Sequence, residues 1–237
     1  MASEGPTVAL LAGGMGTRLQ GLLGSLPKVL APLGGRTFLD WKIDELAGHG
    51  AGALVILAGQ GVDQVRRHLL LNPPPMPVRV HEDGPRLLGT GGALVGAQLL
   101  LPEAFVVMYG DSLQAEPLKA FWADFHRAGL LGLVAVTRQL DSTGQGNIAT
   151  ADGRALRYEK GTSDAELGWL DYGYLALRRE VLTWYSTGSQ LDLGTVMTDL
   201  IAAQQLGIYP VSEGFLEIGT PDQLADVERM LEPRIQD

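Results

Sequence analysis

Short apolar runs alternate with longer stretches of helical spacing through roughly the first 138 residues. Residues 8–11, Ala53–Ala58, Val78–Glu82, Ala104–Tyr109 and 133–137 read as strands, each four to six residues long and bounded by turn formers. Thr37 is placed as a helix N-cap, with Asp40 three residues on in the capping-box position. That helix should run to about Gly48 and bury Phe38, Trp41 and Leu46. Val62–Leu71, 90–100 and 115–126 read as the next helices. The proline-rich stretch 72–77 is a loop, because proline lacks the N–H that regular structure needs.

Beyond Arg138 the rhythm changes. Asp152-Gly153 between 147–149 and 155–160 is a hairpin signal. Residues 170–177 and 215–218 read as strands. Residues 179–185, 196–206 and 221–231 read as helices, the last with Pro221 in its first turn. Strands alternating with ten-residue helices predict an α/β fold, a doubly wound and mostly parallel sheet. In such sheets ligands sit at the carboxyl ends of the strands.

Composition narrows the class. With 237 residues, 46% of them hydrophobic, the chain can build a sizeable core as one domain. Cysteine is absent, which removes disulfides and thiolate chemistry. No apolar run reaches the length of a membrane span, and Met1 to Pro6 lacks a cationic stretch leading into an apolar one. A soluble, cytoplasmic protein without a membrane partner is expected. The formal charge is −9 and no basic run occurs, so nucleic acid is not an expected partner.

The first strand opens into Leu11-Ala12-Gly13-Gly14-Met15-Gly16-Thr17-Arg18. Glycines here let main-chain N–H groups approach a bound anion, and Arg18 adds a cationic fork. Lys28 follows the rigid Pro27 and supplies a second cation. The bland alternative is an ordinary glycine turn with surface cations. The preceding strand and Pro27-Lys28 favour a polyphosphate holder. It is not a Walker loop, since no Gly-Lys-Ser/Thr follows, and Leu19 stands where a dinucleotide fingerprint needs its third glycine.

Other candidates lie at predicted strand ends. Asp111, after Tyr109-Gly110, suits either a Mg²⁺ ligand or a cap for the next helix. Gly89 could admit a flat base, and Thr90 could bond that base or cap a helix. Glu82 or Asp83 could accept from a base's amino and imino groups. In Glu159-Lys160 the carboxylate can accept hydroxyls and the lysine can reach a phosphate, although such pairs are common on surfaces. Gly173 in Asp171-Tyr172-Gly173 marks close approach of a ligand or of backbone. Glu217 is a lone carboxylate in an apolar run, costly unless paired or metal-bound. The four histidines show no metal-ligand spacing, and Trp169 is the tryptophan expected to border the site.

In order, the segments AGGMGTR, PKVLAPLGG, LLGTGGA, YGDS, EK, DYG and FLEIGTPDQL span most of the chain. This ordered set resembles the sugar-1-phosphate nucleotidylyltransferases, most of all their bacterial heptose/mannose-1-phosphate branch. The resemblance implies a Rossmann-like fold of the nucleotide-diphospho-sugar transferase type, with a small antiparallel sugar-facing lobe. It implies a nucleotide-binding part over about 1–138 and a sugar-binding part over about 139–237. The implied substrates are an NTP and a sugar 1-phosphate, and the implied cofactor is Mg²⁺. Leu11, Ala12, Gly13, Gly14, Gly16, Thr17, Arg18, Lys28, Asp83, Gly89, Thr90 and Asp111 would bind nucleotide. Gly110, Asn147, Glu159, Lys160, Asp171 and Gly173 would bind the sugar phosphate. Asp111 and Glu217 would hold the metal, and Arg18, Lys28 and Asp111 would carry catalysis.

Two positions depart from that pattern: Asp171 stands where many members have asparagine, and Glu217 where they have aspartate. Two other functions fit the sequence less well. A nucleotide-sugar sensor would not need both Arg18 and Lys28 to stabilise a leaving pyrophosphate. A cytidylyltransferase for a non-sugar alcohol phosphate fits Glu159-Lys160 and the Asp171–Gly173 segment less well. The absence of Asp-x-Asp at Asp111-Ser112-Leu113 counts against sugar transfer from a finished nucleotide sugar.

Overall fold

A computed structural model of the chain describes residues 5–14, 17–84, 86–138, 145–162 and 164–235. It begins with β1 (Thr7–Leu11), a 3-10 turn at Thr17–Leu19 and the short α1 (Gln20–Leu23). A second 3-10 turn at Lys28–Leu30 leads to the hairpin of β2 (Pro32–Leu33) and β3 (Arg36–Thr37). Then come α2 (Phe38–Gly48), β4 (Ala53–Ala58), α3 (Val62–Leu71), β5 (Val78–Glu82) and α4 (Gly89–Gly96). β6 (Ala104–Tyr109), β7 (Ser112–Gln114), α5 (Leu118–Ala128) and β8 (Gly132–Thr137) follow. The remainder is β9 (Ile148–Ala151), β10 (Arg154–Tyr158), β11 (Leu170–Arg178), a 3-10 helix at Arg179–Trp184, α6 (Leu193–Ala202), β12 (Leu206–Val211), β13 (Phe215–Glu217) and α7 (Pro221–Ile235).

Nine strands form one sheet in the order β5-β4-β1-β6-β11-β8-β12-β10-β9. β1 is parallel to both β4 and β6, β4 to β5, and β8 to β12. β11 runs antiparallel between β6 and β8. The antiparallel β9–β10 hairpin joins the edge at Arg154 and Gly207. A separate two-stranded sheet pairs β7 with β13.

Alternate residues of β1 serve opposite faces, as the strand period requires. Ala9 and Leu11 pack with Leu94, Val196 and Met197 from α4 and α6. Val8 and Leu10 pack with Leu39, Ile43, Val65 and Phe121 from α2, α3 and α5. Burial of each valine, leucine, isoleucine, methionine or phenylalanine among them contributes roughly 1.5–3 kcal/mol. This is why the parallel strands read as continuous apolar runs. α7 adds a third cluster, with Leu224, Val227 and Leu231 against Phe38 and Ile218. Among the described residues, no helix is long and apolar enough to cross a membrane.

The Thr37 capping box forms: Thr37 Oγ1 accepts from the Asp40 amide at 3.3 Å, and Asp40 Oδ2 accepts from the Thr37 amide at 2.9 Å. The clearest departure concerns the expected helix 196–206. The helix is Leu193–Ala202, Gln204 adopts φ +57°, and Leu206–Val211 is a strand inside the sheet. Pro210 argues against a strand from sequence. It is tolerated because β12 bonds to β8 along its length but meets β10 only at Gly207. Likewise α5 starts at Leu118 rather than 115, because Ser112–Gln114 form β7 and Pro117 takes the N-cap position. The expected helix 90–100 is α4 followed by a separate 3-10 turn, Gln98–Leu100.

Candidate active site

β1, β4 and β6 run parallel and so deliver their last residues to a common edge. The Ala12 amide donates to the Leu57 carbonyl at 2.8 Å and the Gly110 amide to the Leu11 carbonyl at 3.0 Å, tying these ends together. Around them opens a cavity of about 390 Å³, walled by Leu11, Ala12, Gly13, Gly14, Asp83, Gly89, Thr90 and Gly110, with Lys28 and Asp111 at one side. Lys28 is largely buried, and its Nζ donates to Asp111 Oδ2 at 2.8 Å. The expected phosphate cation and metal carboxylate are therefore in direct contact.

Asp83 and Glu82 separate clearly. Glu82 Oε2 is exposed and takes Arg66 at 3.2 Å, whereas Asp83 lines the cavity. Asp83 Oδ2 is packed so near Gly13 that a Cβ there would stand 2.8 Å away. Its other oxygen, Oδ1, is buried without a hydrogen-bond partner among the described residues. Burial raises the Asp83 pKa, against an opposing pull from His81.

The second glycine loop works differently from the expectation that Gly89 makes room for a base. Gly89 has φ +77°, and a Cβ on it would lie 2.5 Å from the Leu191 carbonyl oxygen. The Gly91 and Gly92 amides donate to that same oxygen at 2.9 and 3.0 Å. Thr90 Oγ1 accepts from the Leu193 amide at 2.8 Å and donates to Asp192 Oδ2 at 3.2 Å. Its capping role is thus exercised on α6, and the loop docks α4 onto that helix while still lining the cavity.

A second cavity, of about 550 Å³, shares Tyr109 and Asp111 with the first and adds Asn147, Lys160, Asp171, Gly173 and Glu217. Asn147 Oδ1 accepts from the Asp171 amide at 2.9 Å, and Asp171 Oδ1 accepts from the Gly173 amide at 2.9 Å. Burial raises the Asp171 carboxyl pKa, opposed by that amide and by Lys160. Lys160 Nζ lies 3.5 Å from the Tyr109 hydroxyl. Gly110, expected on the sugar side, lines the first cavity instead.

Three expected residues are placed elsewhere. Glu159 turns away from the second cavity and pairs with Arg157 at 2.5 Å. Both residues lie just beyond the end of β10, and of the two only Lys160 lines the cavity. Arg18 is exposed and lines neither cavity; one guanidinium nitrogen lies 3.7 Å from where a Gly219 Cβ would stand. The Trp169 ring sits 4.3 Å beneath the Arg138 guanidinium, around a separate hollow with Pro210 and Val211. Gly16 lies outside the described residues, and Thr17 opens the 3-10 turn before Arg18.

Asp111 and Glu217 come together although more than a hundred residues separate them. Glu217 pairs with Ser112 in the β7–β13 register, and the Ile218 amide donates to the Asp111 carbonyl at 2.9 Å. Two carboxylates fit Mg²⁺, which takes its remaining ligands from phosphate and water. Among the described residues no cluster of three or more His, Cys, Asp or Glu could hold a metal alone. Tyr109, which walls both cavities, and Gln114, behind Gly173, escaped the reading of the sequence. Tyr109 opens the YGDS segment, but nothing there distinguishes it from an ordinary strand residue; Gln114 stands in no motif, and strand pairing brings it to the site.

The two cavities thus meet at Tyr109 and Asp111, on the carboxyl edge of the doubly wound sheet. The chain belongs to the MobA-like NTP transferase domain family, whose match covers residues 8–160. The bifunctional protein GlmU of Methylibium petroleiphilum is 28% identical over 249 residues, which is 95% of this chain and 52% of that protein. The chain thus spans about half the length of the curated relatives it matches. Among solved structures, the inositol-1-phosphate CTP transferase from T. maritima has TM-score 0.82 and 19% identity, covering 100% of this chain and 98% of that one. HddC from Yersinia pseudotuberculosis has TM-score 0.80 and 22% identity, covering 95% and 99%. At these identities the two structures establish a common fold.

Proposed function

We propose that the chain transfers a nucleotidyl group from an NTP to a sugar 1-phosphate, forming an NDP-sugar and pyrophosphate. The observation that carries this reading is that the two cavities share Tyr109 and Asp111, with Lys28 in contact with Asp111. A donor in the first cavity and an acceptor in the second would bring their phosphates together there. The part over about 1–138 supplies most of the nucleotide side, and the part over about 139–237 supplies most of the sugar side.

A sugar-phosphate oxygen attacks the α-phosphorus in line, the new P–O bond forms, and the bond to the β-phosphate oxygen breaks with pyrophosphate as leaving group. No enzyme nucleophile is required, so this chain's contribution is positioning and charge stabilisation. Lys28 neutralises the α-phosphate and the incoming sugar phosphate. The amides of the β1 turn, together with Arg18 reaching in from outside the two cavities, would hold the leaving phosphates. Asp111 and Glu217 would hold Mg²⁺, which when bound supplies Lewis-acid charge neutralisation. Asn147, Lys160, Asp171 and Gly173 orient the sugar.

Asp83 suggests the base. An ionised carboxylate only accepts, and guanine alone among the common bases presents two adjacent donors, its N1–H and exocyclic amino group. GTP is therefore the proposed donor, and a cytoplasmic location is proposed with it. The test is pyrophosphate release from the five common NTPs, each paired with a panel of sugar 1-phosphates and with inositol 1-phosphate. Release is expected with GTP and a sugar 1-phosphate. Release with none of them, or with the inositol phosphate alone, would overturn the assignment.

A further inference from the structure

Behind the second cavity lies a set of buried polar groups that the proposed chemistry does not use. Lys42 on α2 is 0% exposed. Its Nζ donates to Glu45 Oε1 at 2.7 Å and to Gln114 Oε1 at 2.5 Å. Glu45 Oε2 in turn accepts from the Gln114 amide at 2.9 Å. Gln114 Nε2 donates to Ser112 Oγ at 2.8 Å and lies 3.5 Å from the Tyr172 carbonyl oxygen. It also fills the place of a Gly173 Cβ, which would stand 2.8 Å from it. One amide thus touches both the strand that follows Asp111 and the strand that carries Asp171 and Gly173.

A buried ammonium is an expensive way to fill space. Desolvation lowers the Lys42 pKa, and Glu45 and Asp111 work against it. Apolar side chains of similar volume often serve stability as well as a buried ion pair or better. The network therefore points to a task beyond holding the core. Ser112 lies next to Asp111 in the chain and opposite Glu217 in the β7–β13 register, so a shift of Gln114 reaches both proposed metal carboxylates.

We propose that Lys42 is a positioning residue that, by clamping Gln114, sets the spacing between the Asp111–Glu217 pair and the Asp171–Gly173 wall. This rests on the reading of the site given above. Reaction geometry tolerates little displacement, and groups that orient metal ligands are typically worth 10–100-fold in metal affinity or activity.

Two variants of the full chain test it. Gln114→Leu keeps the Lys42–Glu45 ion pair and the main-chain bond to Glu45 but removes the side-chain amide that Lys42 clamps. The double variant Lys42→Met/Glu45→Leu exchanges the pair for apolar side chains. Melting temperature, GTP affinity, Mn²⁺ affinity and the kcat and KM for the sugar 1-phosphate would be measured on each. Both variants should melt near the wild type and bind GTP within about threefold of it, while kcat falls about 10–100-fold and Mn²⁺ binding weakens about tenfold. A folded variant with wild-type kcat and Mn²⁺ affinity would show that the network is merely structural and overturn the proposal. If the double variant does not fold, Gln114→Leu alone decides. Should the wild type turn over no substrate pair, the functional reading fails separately. Mn²⁺ affinity then decides the positioning claim: tenfold weakening in Gln114→Leu supports it and no change overturns it.

Discussion

The two cavities that meet at Asp111 are built in opposite ways. The first is made of consecutive residues leaving parallel strands, and β1 with its turn supplies Leu11 through Gly14 in a single pass. The second is assembled across antiparallel pairings, with Asp171 and Gly173 from a bulged stretch of β11, Lys160 just beyond β10 and Glu217 from β13. Local backbone holds the first, whereas buried side chains such as Lys42, Gln114 and Tyr172 hold the second. The Tyr172 hydroxyl alone accepts from the Ala115 and Glu116 amides, each at 3.0 Å, and donates to the Gly214 carbonyl at 3.2 Å. One side of the site is thus rigid by topology and the other by side-chain bonding, and they should respond differently to substitution.

Asp111 belongs to both cavities, so its loss should have the largest effect. Asp111→Asn is expected to remove metal-dependent turnover, by about 10³-fold or more, measured as pyrophosphate release over a Mg²⁺ titration. Turnover within tenfold of wild type would sever the two cavities mechanistically. Lys28→Gln should lower kcat by about 10²–10³-fold with little change in GTP affinity, the pattern for a contact made chiefly in the transition state. A change confined to affinity would make Lys28 a docking charge.

On the side-chain-built face, Glu217→Gln should cost about 10–100-fold and weaken Mn²⁺ binding, while Glu217→Asp keeps part of both. A normal Gln variant would remove Glu217 from the metal. Arg18 is exposed and outside both cavities, so Arg18→Ala should cost only about tenfold, through solvent-screened contact with the leaving phosphates. A loss as large as that of Lys28→Gln would mean the loop closes over the nucleotide.

The smallest expected effect is on stability and comes from Asp83. Its pKa is raised above the ordinary 3.8 in the folded chain. The stability this group contributes is therefore complete below the ordinary value and lost as pH rises through the raised one. Ligand-free Asp83→Asn does not ionise there, so it should gain on the wild type by a few degrees of melting temperature between about pH 4 and neutrality. An equal difference at both pH values would mean that Asp83 does not titrate in the folded chain.

The first cavity was largely legible in the sequence for a physical reason. The β1 turn, Asp83 and Asp111 follow strands that the sequence pattern reveals, and parallel topology gathers those ends, while Lys28 was marked by the rigid Pro27 before it. The second cavity was legible only as separate candidates. Nothing local in Glu159-Lys160 says which of the two faces inward. Gly173 was read as marking a close approach, and the neighbour turned out to be the Gln114 side chain. Lys42 stands in no motif, and its burial depends on packing that the sequence of α2 alone does not show. β12 was hidden behind the apolar spacing that continues from α6 and behind Pro210, whose tolerance depends on a pairing partner far away in the chain.

The most direct test of the central claim is a crystal structure with a non-hydrolysable GTP analogue, Mg²⁺ and a sugar 1-phosphate bound together. The guanine edge is expected at Asp83, the α-phosphate beside Lys28, the metal on Asp111 and Glu217, and the sugar between Lys160 and Asp171. A nucleotide seated in the second cavity, or sugar and nucleotide phosphates held apart from Asp111, would contradict it.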